Sequence, residues 1–286
     1  MKGIFDDTFK NIILLLFVLG LFTLGSGSAM DISWNGTVWA VLDNENGSYL
    51  TLVTSDGHVS EIPLRVNGTP CGLAWNGSQW IVETFIPDRV EIQTLNGSVL
   101  FRIHSYDCKG FAYLNGTYYV PISESAMMGD CSLVQVSGEG KIKGTAPCGF
   151  INGVKVKVVE GRIYLMNCTG IYVYSDGRFE QVQRLENCTS DFDFLKDKTL
   201  LCSIGLIEHS KNTTRKILSS CDAIGCSGRE CLVAANGTLY TYDGSLKTLE
   251  IENHANHSGS TLKKALSLGA LLALLVGLFL CRRRPF

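Results

Sequence analysis

One signal constrains the fold of this 286-residue chain more than any other: a glycine-containing turn between short apolar runs, recurring about every forty residues. One series runs Asn35-Gly36, Asn76-Gly77, Asn115-Gly116 and Glu160-Gly161, and continues at Asp197 and Ser227-Gly228. A second runs Asp56-Gly57, Asn96-Gly97, Gly138-Glu139-Gly140, Asp176-Gly177 and Asp243-Gly244, with SKNTT at 210–214 filling the gap. Asn-Gly between apolar runs predicts a hairpin, because both central residues of a type I′ turn need positive φ. The best-preserved unit, Cys71 to Ile103, reads as four short strands with turns at Asn76-Gly77, Pro87-Asp88 and Asn96-Gly97.

Set one above another, the repeats start at Met30 and at Cys71, Cys108, Cys148, Cys188 and Cys221. MDISWNGTVWAV of the first matches CGLAWNGSQWIV of the second, and the last two repeats are degenerate. Four strands per repeat at this period is the pattern of propeller blades, whose radial repetition leaves only short protected edges. The expected fold is therefore all-β, a six-bladed β-propeller with four-stranded blades over residues 30–252; five or seven blades stay open. The chain starts on a first strand and ends on a fourth, so the ring should close blade against blade. The strand ending in the YSDG turn at 174–177 resembles the outer hairpin of propellers of the quinoprotein and WD-repeat kind. That resemblance covers residues 30–252 and implies a fold, with no activity attached.

The two ends lie outside this pattern. Residues 12–24, IILLLFVLGLFTL, follow Lys2 and Lys10 and precede GSGSA at 25–29. A core this short fits a signal peptide over 1–29, cleaved after Ala29, with an uncleaved anchor as the alternative. Residues 253–262 are polar and read as a stalk. Ala265 to Cys281 carries no charge and is flanked by Lys263-Lys264 and Arg282-Arg283-Arg284. At 1.5 Å rise it covers about 25 Å, enough to span with snorkelling lysines, giving a transmembrane helix over 263–281. The arginines place 282–286 in the cytoplasm and the bulk of the chain outside the cell membrane. This tail also resembles archaeal sortase-type tails, a short span ending in an arginine cluster, though it lacks a recognition motif before the span. A net charge of −2 disfavours nucleic acid as a partner.

Eleven cysteines are present, and all but Cys281 precede the span. An even set in an exported domain predicts disulfides among Cys71, Cys108, Cys131, Cys148, Cys168, Cys188, Cys202, Cys221, Cys226 and Cys231. The simplest pairing joins each repeat opener to a later cysteine of its own blade: Cys108–Cys131, Cys148–Cys168 and Cys188–Cys202. Cys71 is then left over, and at least one bond crosses blades. The even spacing of Cys221, Cys226 and Cys231, with His209 upstream, lacks the close pairs of a structural zinc site, so no metal is expected.

Eleven Asn-x-Ser/Thr sequons occur. Asn-Gly is also turn chemistry, which leaves unexplained why a hydroxyl residue follows so regularly. Glycosylation is expected at Asn35, Asn46, Asn76, Asn96, Asn115, Asn212, Asn236 and Asn256. Asn67, Asn167 and Asn187 are weaker, being beside Thr69-Pro70 or followed by bonded cysteines.

No HExxH, GxSxG or phosphate-binding glycine loop appears, and no cofactor is expected. Propeller glycosidases work with paired carboxylates, which makes Asp191 and Asp193, alternating in TSDFDF, the catalytic candidates. Asp31, Asp107 and Asp222 sit beside blade openings. The inserted loop Ser123–Asp130, with Met127 and Met128, is a contact candidate. Trp34, Trp39, Trp75 and Trp80 occupy matching WNGxxW positions and read as blade-to-blade core rather than a sugar platform. The function expected is binding or structural, recognising a glycan, peptide or neighbouring envelope protein at the cell surface. The alternatives are an extracellular polysaccharide hydrolase or lyase using channel carboxylates, and an anchored sensor or assembly factor.

Overall fold

The computed structural model describes residues 29–43, 49–125, 130–150, 154–211 and 213–249. The expected signal peptide up to residue 28, the stalk, the span and the cytoplasmic tail fall outside them, as do Asn46, Asn212, Asn256, Met127 and Met128, while Ala29 begins the first strand. No helix among the described residues is long and apolar enough to cross a membrane.

The described residues form six antiparallel sheets, each of four strands consecutive in sequence. Blade 1 runs from β1 (Ala29–Trp34) to β4 (Val59–Pro63), blade 2 from β5 (Thr69–Trp75) to β8 (Val99–His104), and blade 3 from β9 (Ala112–Leu114) to β12 (Ile142–Phe150). Blade 4 runs from β13 (Lys155–Val159) to β16 (Arg178–Arg184), blade 5 from β17 (Asp191–Leu195) to β20 (Thr214–Leu218), and blade 6 from β21 (Ala223–Cys226) to β24 (Leu246–Thr248). The six-bladed count holds. The innermost strands meet in order β1, β5, β9, β13, β17 and β21, and β21 meets β1 again. The ring closes without exchanging a strand, as the strand count requires.

Each seam between blades has its own apolar core. Leu42 and Leu50 of blade 1 pack on Leu73 and Trp80 of blade 2, and Ile81 and Ile92 of blade 2 on Phe111 and Tyr118 of blade 3. The closing seam is built alike, with Ile32, Trp39 and Val53 against Ala223, Leu232 and Leu239. Wedge-shaped blades open outward, so burial falls from axis to rim. In blade 5 the inner strand β17 is buried at four of five positions, while β20 at the rim buries none. Inner strands are buried on both faces, so the charged residues that alternate in DFDFL and KVKVV must find partners inside the ring.

Both series of turns fall where expected, although the Asn-Gly pairs work in two ways. Asn115-Gly116, Glu160-Gly161, Asp176-Gly177 and Asn236-Gly237 hold both residues at positive φ, as a type I′ turn demands. At Asn35, Asn76 and Asn96 only the glycine does so, which corrects the type I′ expectation there. The Asn35 Oδ1 accepts the amides of Thr37 and Val38 at 2.9 and 2.8 Å. Asn76 Oδ1 accepts those of Ser78 and Gln79 at 3.1 and 2.9 Å. In these loops Asn serves through its side chain, which replaces a backbone turn bond.

The disulfide pairing differs from the within-blade expectation. The bonds are Cys71–Cys108, Cys131–Cys148, Cys168–Cys188, Cys202–Cys221 and Cys226–Cys231. Cys108–Cys131, Cys148–Cys168 and Cys188–Cys202 are not formed. Each cysteine instead joins its next neighbour in sequence, and three bonds tie a blade to the segment leading into the next. The physical reason is reach, because a crossover returns the chain from rim to axis beside the blade it has just left. Cys148 does not open a blade at all; it lies on the outer strand of blade 3, and blade 4 starts at Lys155. The cysteines weighed for zinc, Cys221, Cys226 and Cys231, are all consumed by these bonds.

Candidate functional site

Strands alternate in direction within each blade, so every turn between first and second strands opens on one face of the ring. On that face lies a cavity of about 270 Å³ on the ring axis, lined from all six inner strands. It shares Trp34, Val158, Asp193 and Cys226 with an adjoining recess of about 360 Å³ towards blades 4 and 5. The crossovers, and both ends of the described chain, lie on the opposite face.

The rim of this cavity is aromatic in blades 1 to 3. Trp34 and Trp75 end their inner strands and Tyr113 stands one residue before the end of the equivalent one; each is half-buried, and all three line the cavity. Each leans on a buried aromatic five residues on. Ring centroids are 4.4 Å apart for Trp34–Trp39, 5.1 Å for Trp75–Trp80 and 4.8 Å for Tyr113–Tyr118. Such pairs favour tilted or edge-to-face packing and fix the outer ring in place. The four tryptophans thus divide. Trp39 and Trp80 are core, as expected, and Trp34 and Trp75 pack against the same seam cores while each also lines the cavity.

The floor is charged. Lys157 of β13 reaches across to blade 5, 3.0 Å from Asp191 and 3.7 Å from Asp193, and donates to the carbonyl of Ile224. On the other side Lys155 lies 3.0 Å from Asp31. The three aspartates repeat one geometry, in which one oxygen accepts the residue's own following amide and the other an amide of the next blade. Asp31 Oδ2 takes Leu73 N at 2.9 Å, Asp191 Oδ2 takes Ile224 N at 3.0 Å, and Asp193 Oδ2 takes Cys226 N at 2.8 Å. The second oxygens take Ile32, Phe192 and Phe194 amides. These carboxylates clasp neighbouring inner strands that share no sheet ladder.

Burial pushes the Asp193 carboxyl up to about 6, against the pull of Lys157 and of the Cys226 and Phe194 amides. Burial alone would lower the Lys157 ammonium, but the Asp191 and Asp193 charges outweigh it and hold it above the ordinary lysine value. Sequence singled out Asp191 and Asp193, and the structure brings both to the axis with every oxygen engaged. Asp107 and Asp222 are elsewhere: Asp107 holds Lys109 at 2.7 Å, and Asp222 accepts the Asn236 amide at 2.8 Å. Lys155 and Lys157 were missed. Their signal was present, since KVKV alternates as DFDF does on an equivalent strand, with the opposite charge.

The sequons among the described residues differ in what the Asn side chain does. Asn115 and Asn236 stand exposed on type I′ turns, and Asn96, Asn67 and Asn187 are exposed as well. Asn35 is half-buried beside the cavity. Asn76 is half-buried, with its Oδ1 taken up by the Ser78 and Gln79 amides. Asn167 donates to the Cys148 carbonyl at 3.4 Å.

No protein-family model matches the sequence, and a search of curated proteins finds no match. Among solved structures, the chain is similar to the WD40 repeats of RRP9, with a TM-score of 0.51 at 7% identity over 78% of this chain and 80% of that one. The fold has WD40 neighbours. A computationally designed protein, Ika8, aligns at TM-score 0.46 and 9% identity, over 76% of this chain and 96% of that one. The Pyrococcus horikoshii acylaminoacyl peptidase aligns at 0.45 and 10%, over 78% of this chain and 46% of that one. At such identities the RRP9 likeness speaks for the fold alone.

Proposed function

We propose that this propeller is a binding module of the cell surface, and that the aromatic-rimmed mouth of its channel is the recognition site, with a saccharide as its ligand. The observation that carries this reading is the arc of Trp34, Trp75 and Tyr113 on one axial cavity. Half-exposed aromatic faces held rigid by buried partners cost little entropy to engage. Apolar faces of a sugar ring suit them, and Asn35 and the charged floor supply polar partners. A scaffold role for the fold as a whole fits the same geometry.

The address rests on separate support. Five disulfides among the described residues suit an oxidising compartment. Exposed sequons at Asn96, Asn115 and Asn236 are compatible with glycans. The apolar run at 265–281 and its arginines support a single membrane anchor, in the style of the archaeal tails it resembles. The carboxylates of Asp191 and Asp193, bound to Lys157 and to backbone amides, favour binding over hydrolysis.

The test is a saccharide and peptide array probed with the full-length protein in nanodiscs. A saccharide should bind, and Trp34→Ala with Trp75→Ala together should weaken it at least tenfold, because each lost stacking face is worth about 1 kcal/mol. Binding confined to peptides, or unchanged in the double variant, contradicts the proposal.

A further inference from the structure

Glu83 lies in the middle of β6 (Trp80–Ile86), fully buried, in the run WIVETFI, whose other polar residue is the buried Thr84. Among the described residues neither of its carboxyl oxygens has a hydrogen-bond partner. A carboxyl oxygen and the sulfurs of Cys71 and Cys108, which form one disulfide, all lie within 4.8 Å of one another. Two glycines make the room. A Cβ on Gly72 would stand 2.5 Å from the Gly110 Cα and 2.9 Å from Glu83 Oε2. No other disulfide among the described residues has a carboxyl or imidazole grouped with its sulfurs in this way.

The charged groups facing Glu83 do not neutralise it. Lys155 of β13 is held by Asp31 of β1 at 3.0 Å, and Asp107 of the crossover is held by Lys109 at 2.7 Å. The Gly110 amide and Lys155 favour the ionised form, the amide without the geometry of a hydrogen bond, while Asp31 and Asp107 oppose it. Burial dominates and lifts the carboxyl to about 8, so at neutral pH it is a neutral acid with a proton to give. Cys71 is almost closed to solvent, and Cys108 is more open.

We propose that Cys71–Cys108 is a reducible disulfide served by Glu83 as its proton donor, with a dithiol as the reductant. The dithiol's thiolate attacks Cys108 Sγ and breaks the S–S bond. Cys71 leaves as a thiolate and takes the proton of Glu83. The second thiol of the reductant then gives its proton to the Glu83 carboxylate and attacks the sulfur attached to Cys108. That releases the Cys108 thiolate, which is protonated by water, and frees the reductant as a disulfide. Two electrons pass from dithiol to cystine, and Glu83 ends as it began. A protonated leaving thiol departs more readily than a bare thiolate in a buried site, and for that reason the acid matters. Reduction would untie blade 2 from the segment leading into blade 3 and leave the other four bonds in place.

The test uses the full-length protein and dithiothreitol, with alkylation and mass spectrometry to assign each reduced pair over time from pH 6 to pH 9. Rates are divided by the fraction of dithiothreitol present as thiolate. Cys71–Cys108 should be reduced first, and its rate per thiolate should fall about tenfold as the pH rises through 8. Glu83→Gln should lower that rate at pH 6–7 to the pH 9 value and flatten the profile. A purely packing role for Glu83 would change thermal stability and leave the profile sloped. If Glu83→Gln does not fold, the wild-type profile still decides. A flat profile at Cys71–Cys108, or reduction no faster than at the other four bonds, overturns the proposal.

Discussion

At the scale of the residue, buried carboxyls set the electrostatics of this ring. Asp193 and Glu83 carry raised carboxyls, at about 6 and about 8, from ordinary values of 3.8 and 4.5. A folded chain that holds protons the unfolded chain releases loses stability as pH rises, by about 1.4 kcal/mol per pH unit for each such group. The Glu83 contribution is complete below about pH 4.5 and gone above about pH 8; that of Asp193 runs between about 4 and 6. Denaturant unfolding between pH 6 and 8 should therefore show falling stability in the wild type, and Glu83→Gln should remove most of that slope. An unchanged slope in Glu83→Gln would mean that the carboxyl is ionised in the fold. The sequence disclosed these groups unevenly. Asp191 and Asp193 stood out because they alternate beside a blade opening, but their partners were unreadable. Which amide or ammonium a carboxylate meets depends on a strand in another blade. Glu83 was passed over because a lone acid in WIVETFI lies far in sequence from the cysteine pair it touches.

At the scale of the element, the strands and turns were the most legible part. Glycines and hairpin asparagines act through local backbone geometry, and their period survives the degeneracy of blades 5 and 6. Contacts across the seams were less legible. Gly225 illustrates this, because its neighbours are at the other end of the chain. A Cβ there would meet Ile32 Cγ2 at 2.6 Å and the Ile32 carbonyl oxygen at 2.7 Å. Gly225→Ala forces β21 from β1 at the seam that closes the ring, and should cost about 1–3 kcal/mol of stability. Gly138→Ala, where the nearest atom is 3.6 Å away and φ is ordinary, should cost far less. Equal Tm values for the two variants would mean that blades 6 and 1 are not in contact. The same distinction between local and distant chemistry explains the cysteines. Their count and position at blade borders were readable, but their partners were not, because repeat alignment placed Cys148 at the start of a blade whose predecessor in fact ends there.

At the scale of the whole molecule, six cores at six seams and a closing contact between β21 and β1 make the ring one cooperative body. That much follows from a forty-residue period, since strands repeated so need a radial arrangement to cover their edges. Which tryptophan of each pair lines the cavity was not readable from sequence, because WNGxxW places two of them in each of the first two repeats and only the fold separates the fully buried one from the half-buried one. The half-exposed pair is where the functional account stands or falls. The most direct measurement is a tryptophan fluorescence titration of the full-length protein with the best-binding saccharide. The account predicts a saturable change in emission that disappears in Trp34→Phe with Trp75→Phe and persists in Trp80→Phe. A change that survives the double variant, or binding with no change in emission at all, would contradict recognition at the mouth of the channel.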